Sequence, residues 1–90
     1  MSDRFSKDPN ATLDFVFDWS AWLEDTETIT SHEITAAEGI VVDSSTEAAG
    51  KITVWLSGGT ESHDYRVACK IVTSSGRTDE RTMTIVCHDR

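Results

Sequence analysis

Several stretches of this chain alternate apolar and polar residues with a period of two. Leu13, Phe15 and Phe17 fall on one side of a segment whose other side is Asp14, Val16 and Asp18. Ile52, Val54 and Leu56 oppose Thr53 and Trp55, Tyr65, Val67, Cys69 and Ile71 share a face, and Met83, Ile85 and Cys87 share another. Successive side chains of a strand project to opposite faces, so each stretch reads as a half-buried β-strand. Residues 26–36 are rich in Thr and Ile, which favour strands. Ile29 and Ile34 are an odd number of residues apart, so either a bulge intervenes or the two serve different faces. Ile40-Val41-Val42 reads as a short strand, and residues 43–50 as a polar loop. Trp19 and Trp22 flank Ser20-Ala21 in a turn or a single helical turn, and no segment sustains a 3.6-residue period. Short strands separated by turn signals about every eight to twelve residues predict an all-β fold, a single immunoglobulin-like (fibronectin-III-like) β-sandwich. Residues 1–11 are polar and hold Pro9, the chain's one proline, so they read as a short N-terminal arm ahead of a sandwich over 12–90.

The last hairpin tests whether the two cysteines can pair. Both of its apolar sets must face one core, which fixes the parity of the register. A three- or five-residue loop around Ser75-Gly76-Arg77 satisfies that parity and predicts Cys69 opposite Met83 and Cys87 opposite Tyr65. The sulfurs are then about four residues apart along the strands, roughly 13 Å, beyond the ~7 Å reach of a disulfide. Free, buried thiols are expected.

Two aromatic residues stand out. Tyr65 opens its strand after Leu56, Gly58-Gly59 and Thr60, the arrangement of a tyrosine corner, in which the phenol bonds back to upstream backbone; a plain core aromatic is the alternative. Trp55 points away from Ile52, Val54 and Leu56, so it is either covered by Trp19 and Trp22 or turned toward a partner.

Length and charge narrow the function. Ninety residues build one domain with one core and leave little room for a deep substrate cavity. The net charge of −8 sits in the first half, where residues 1–45 hold ten acids against Arg4 and Lys7; residues 46–90 balance six against six. A basic stripe for nucleic acid is absent from the sequence. No apolar run approaches the roughly 20 residues of a membrane span, and no apolar region follows Met1-Ser2-Asp3-Arg4, so neither membrane contact nor secretion is expected and synthesis is read as cytosolic. His32, His63 and His88 lie on separate segments without metal-ligand spacing, and Asp14 and Asp18 do not form a calcium loop. Gly58-Gly59 lacks the Lys-Ser/Thr of a phosphate loop, and contiguous Ser62-His63-Asp64 cannot form a triad by adjacency. No catalytic residue, metal site or cofactor is assigned.

Longer blocks carry a family resemblance. Lys7-Asp8-Pro9, Leu13-Asp14-Phe15 and Asp18-Trp19-Ser20-Ala21-Trp22-Leu23, then Val54-Trp55-Leu56-Ser57-Gly58-Gly59-Thr60 and Gly76-Arg77-Thr78-Asp79-Glu80-Arg81, resemble a family of small Ig-like tailed-phage and prophage virion proteins, the fiber-tail adaptors. The resemblance implies a structural protein of the virion, assembled in the bacterial host cytoplasm, that joins a fibre or neighbouring component to the tail or connector. It further implies other phage structural proteins as partners, self-association within the particle, and no enzymatic activity. Capsid decoration is an alternative within the same fold. A carbohydrate-binding or adhesion module is another, if Trp19, Trp22 and Trp55 form a planar exposed row. Phe5, Trp22 and Trp55 are the candidate partner-binding residues. The arm is expected to become ordered on assembly, with the rest of the domain folded without it.

Overall fold

The alternating segments pair as their patterns require. The structure, a computed structural model, describes residues 2–88; residues 1, 89 and 90, which the arm and sandwich assignments include, lie outside the described residues. Seven strands run in order: β1 (Ser2–Lys7), β2 (Leu13–Asp18), β3 (Ile29–Ala36), β4 (Ile40–Ala48), β5 (Lys51–Gly58), β6 (Asp64–Thr73) and β7 (Thr78–Cys87). They form two sheets, β1-β7-β6-β3 and β2-β5-β4, packed face to face. Ile52, Val54 and Leu56 from the centre of the smaller sheet meet Val67, Cys69, Ile71, Met83, Ile85 and Cys87 from the larger one, all buried. Phe15 and Phe17 join them; Leu13 has the same parity but is exposed, because it begins an edge strand.

The odd spacing of Ile29 and Ile34 is resolved by a bulge. Ile29 pairs with Thr73 but Ser31 pairs with Val72, leaving Thr30 as the extra residue, its hydroxyl donating to the Val72 carbonyl at 3.0 Å. The insertion restores parity, so that Ile34 stands opposite Cys69 and both isoleucines address the core. A second bulge interrupts β4 between Val42 and Ser44.

Two segments differ from expectation. Residues 43–50 are not a loop: β4 runs to Ala48, and only Ala49-Gly50, both at positive φ (53° and 82°), turn the chain into β5. Residues 2–7 are not an arm: β1 is an edge strand parallel to β7, from Ser2 beside Thr82 to Lys7 beside Cys87. Both are edge strands with polar faces, held by ladder hydrogen bonds more than by burial, so their sequences carry little apolar periodicity. Lys7 is nonetheless fully buried; its ammonium donates to the carbonyls of Asp8 (2.9 Å) and Gly58 (2.7 Å), tying β1 to the end of β5.

The β6–β7 register keeps the predicted parity but slides by two residues. Val67 faces Met83, Tyr65 faces Ile85, and Cys69 faces Arg81. The sliding moves the cysteines further apart, to six residues along the strands or about 20 Å. Both thiols are free and buried. Burial, with the nearby Glu80 carboxylate adding to it, pushes the Cys69 thiol up to about 12.

Candidate functional site

The crossovers between sheets are pinned by three groups of side chains. At the β5–β6 crossover the Thr60 N–H donates to the Tyr65 hydroxyl at 2.8 Å, the bond expected of a tyrosine corner. Two glycines at positive φ hold the ring: a Cβ on Gly39 would lie 2.8 Å from Tyr65 Cε1, and one on Gly59 would lie 3.3 Å from Cε2. The Gly59 N–H donates to the Gly39 carbonyl at 3.0 Å, closing the two crossovers on each other.

At the opposite end, Trp19 begins a single helical turn, with the N–H groups of Trp22 and Leu23 donating to its carbonyl. Its ring is fully buried against Phe17; its indole N–H donates to Asp79 at 2.8 Å, and the Arg81 guanidinium lies over the ring, 4.8 Å from its centroid. Beside it, Arg77 grips the buried Glu27 carboxylate with both Nε (2.9 Å) and Nη2, covers the Trp22 ring at 3.9 Å, and reaches the Trp22 carbonyl at 3.3 Å. Thr73 donates its hydroxyl to the same carboxylate, and the Glu24 N–H adds a fourth donor. These hydrogen bonds, Arg77 first and Thr73 second, hold Glu27 down to about 2. The cluster locks the β2–β3 connection onto the β6–β7 turn. Arg77, Asp79 and Arg81 lie within a block singled out in the sequence, but Glu27, in the polar run Asp25-Thr26-Glu27-Thr28, carries no pattern that marks it as buried.

The three candidate contact residues do not come together. Phe5 lies at the β1 edge, 36% exposed, its ring 5.5 Å from that of Phe15. Trp22 is half-buried under Arg77 and belongs to the internal clamp. Trp55 is 41% exposed at the centre of the β2-β5-β4 outer face, beside Asp14 and Ser44, with Val16 and Val41 also exposed on that face. Trp19 and Trp22 therefore do not cover Trp55, and the three indoles form no planar row.

Among the described residues, no three or more His, Cys, Asp or Glu side chains come together as a metal-ligand set. An open depression of about 520 Å³ lies beside the clamp, lined by Leu23 and Gly50 and by Glu24, Asp25, Glu27 and Glu47. Ser20 and Thr28 add hydroxyls to this acidic lining.

A small sandwich whose buried polar groups are spent on internal clamps, and whose outward feature is an aromatic sheet face, belongs to the class of structural, surface-contacting modules. Comparison with known families agrees. The chain belongs to the family described as podophage GP4 fiber-tail adaptor protein gp77, which it matches over residues 7–86. It is a structural tail adaptor, a part of the virion that interacts with other phage tail and fibre proteins. No curated protein matches it.

Proposed function

We propose that this adaptor is a non-enzymatic bridging domain that meets a neighbouring virion protein through the outer face of β2-β5-β4, with Trp55 as its anchor. The observation that carries the reading is the exposure of Trp55 on the central strand of that sheet. A large aromatic left in water while Trp19, Phe15, Phe17 and Tyr65 are buried favours a contact, since tryptophans concentrate the binding energy of interfaces. Val16 and Val41 extend the apolar area, and Asp14, Asp18 and Asp43 border it with negative charge. Phe5, clipped against Phe15 at the β1 edge, is a secondary contact candidate. Particle assembly in the host cytoplasm fits the two free cysteines.

An immunoglobulin-like assignment is part of the same reading. Lettered in chain order, the strands run A-G-F-C and B-E-D. Immunoglobulin domains likewise keep B, E and D in one sheet and C, F and G in the other.

The test is Trp55→Ala in the phage. The variant protein is expected to stay folded, with a cooperative thermal transition, while its incorporation into particles falls at least tenfold, the effect of losing roughly 1.4 kcal/mol or more of contact energy. Incorporation at the wild-type level would sink the reading.

A further inference from the structure

We propose that the Trp55 face docks onto a second copy of this chain, against the outer face of its larger sheet, so that copies associate head to tail. The inference rests on the reading of the Trp55 face as an interface and names its occupant. The receiving feature is a groove of about 300 Å³ lined by Thr35, Ala36, Ala37, Arg66, Ala68 and Thr82. The strand register creates it: Thr35 lies beside Ala68 and Ala68 beside Thr82, so short side chains line up across β3, β6 and β7. Longer side chains wall it, Lys70 with Glu33 and Glu80 along one side and Arg66 along the other. About 300 Å³ is the bottom of the range for small-molecule pockets and suits one aromatic side chain.

Charge decides which surface fills it. On the larger sheet's outer face Lys70 sits between Glu33 and Glu80, and Arg4 pairs with Asp64 at 3.3 Å. Arg66 is exposed and has no side-chain partner among the described residues. On the other sheet Asp14 stands directly beside Trp55, also exposed and without a side-chain partner among the described residues. An unpaired carboxylate beside an exposed indole on one face thus complements an unpaired guanidinium beside a groove on the other. Arginine is the cation that both stacks on an indole and takes a carboxylate in its fork. A symmetric contact between two Trp55 faces would instead set Asp14, Asp18 and Asp43 of one copy against the same three acids of the other, with Lys51 as the cation this face carries among the described residues, a balance that like-charge repulsion disfavours. The remaining arrangement is heterologous, the kind that closes into rings when the rotation between copies allows. The chain's net charge of −8 opposes association of free copies, so the contact forms where the particle raises local concentration.

Sedimentation velocity of the full chain, at concentrations rising to about 1 mM where weak contacts populate, is expected to show mass growing past the monomer. Trp55→Ala and Arg66→Glu are each expected to stay monomeric and folded. Mixed together, the two variants retain one intact face of each kind and are expected to form one-to-one dimers that grow no further. If Trp55→Ala unfolds, Asp14→Lys takes its place on the same face with the same expectations. The proposal is overturned if the wild type stays monomeric throughout, if Arg66→Glu associates like the wild type, or if the mixture fails to recover dimers. Particles that exclude Trp55→Ala but accept Arg66→Glu would keep Trp55 as an interface while overturning the second-copy occupant.

Discussion

Tyr65 and Glu27 show two ways in which one side chain secures a crossover. The Tyr65 ring packs between Gly39 and Gly59, and its hydroxyl accepts the Thr60 N–H. Tyr65→Phe keeps the ring and removes only that acceptor. The loss is expected to cost about 1 kcal/mol, read as a melting temperature lower by roughly 4–8 °C for a domain of this size; an unchanged melting temperature would show that the corner contributes nothing. Glu27 acts through charge. Its carboxyl falls from 4.5 to about 2 because Arg77, then Thr73, bond its ionised form. A group with a depressed folded-state pKa contributes stability that is present above its unfolded value and lost as pH falls through its folded value. Wild-type stability is therefore expected to drop between about pH 4.5 and pH 2 more steeply than that of Glu27→Gln, which has no carboxyl at that position. Melting curves that stay parallel across this window would show that the Arg77 grip adds no acid-sensitive stability.

Legibility differed from strand to strand for a physical reason. The alternation of β2, β5, β6 and β7 reflects burial on one face, and that signal survives in the sequence because each inward side chain must be apolar. The tyrosine corner was legible from Tyr65 and the Gly58-Gly59 turn, and the cysteines were legible as separate thiols even though the register moved by two residues. In β1 and β4 the ladder is made by the backbone, which any residue supplies; Ser44-Ser45-Thr46-Glu47 reads as loop in one dimension and pairs along β5 in three. The outward direction of Trp55 was legible from parity, but its exposure was not, because covering residues arrive from distant segments. Trp19 and Trp22, the expected cover, are held at the far end by Asp79, Arg81 and Arg77, partners 55 to 62 residues away in the chain. The Glu27 clamp was invisible because an acid in a polar run looks solvated until a guanidinium closes over it.

The assembled sandwich depends on contact between its first and last strands, which gives the N-terminal segment a role unlike that of an arm. β1 covers the outer edge of β7, its Phe5 ring meets Phe15 of the opposite sheet, and Lys7 bonds the Gly58 carbonyl, so one short strand touches both sheets. Deleting residues 1–7 removes a buried ammonium held by two carbonyls, an aromatic pair and a full parallel ladder, and bares the β7 backbone. Each hydrogen bond to a charged group contributes about 1.5–3 kcal/mol, a large share of the roughly 5–15 kcal/mol that holds a domain together. The truncated chain is accordingly expected to melt at least 10 °C lower than the full chain, or to lose its cooperative transition, since each kcal/mol moves the midpoint by about 4–8 °C. It should also self-associate through the bared edge, because an uncovered strand recruits another. That association differs from the head-to-tail contact in its response to Trp55→Ala: edge pairing through β7 persists in the double variant, whereas docking of the Trp55 face does not. A truncated chain as stable as the full one would return residues 1–7 to the status of a dispensable arm.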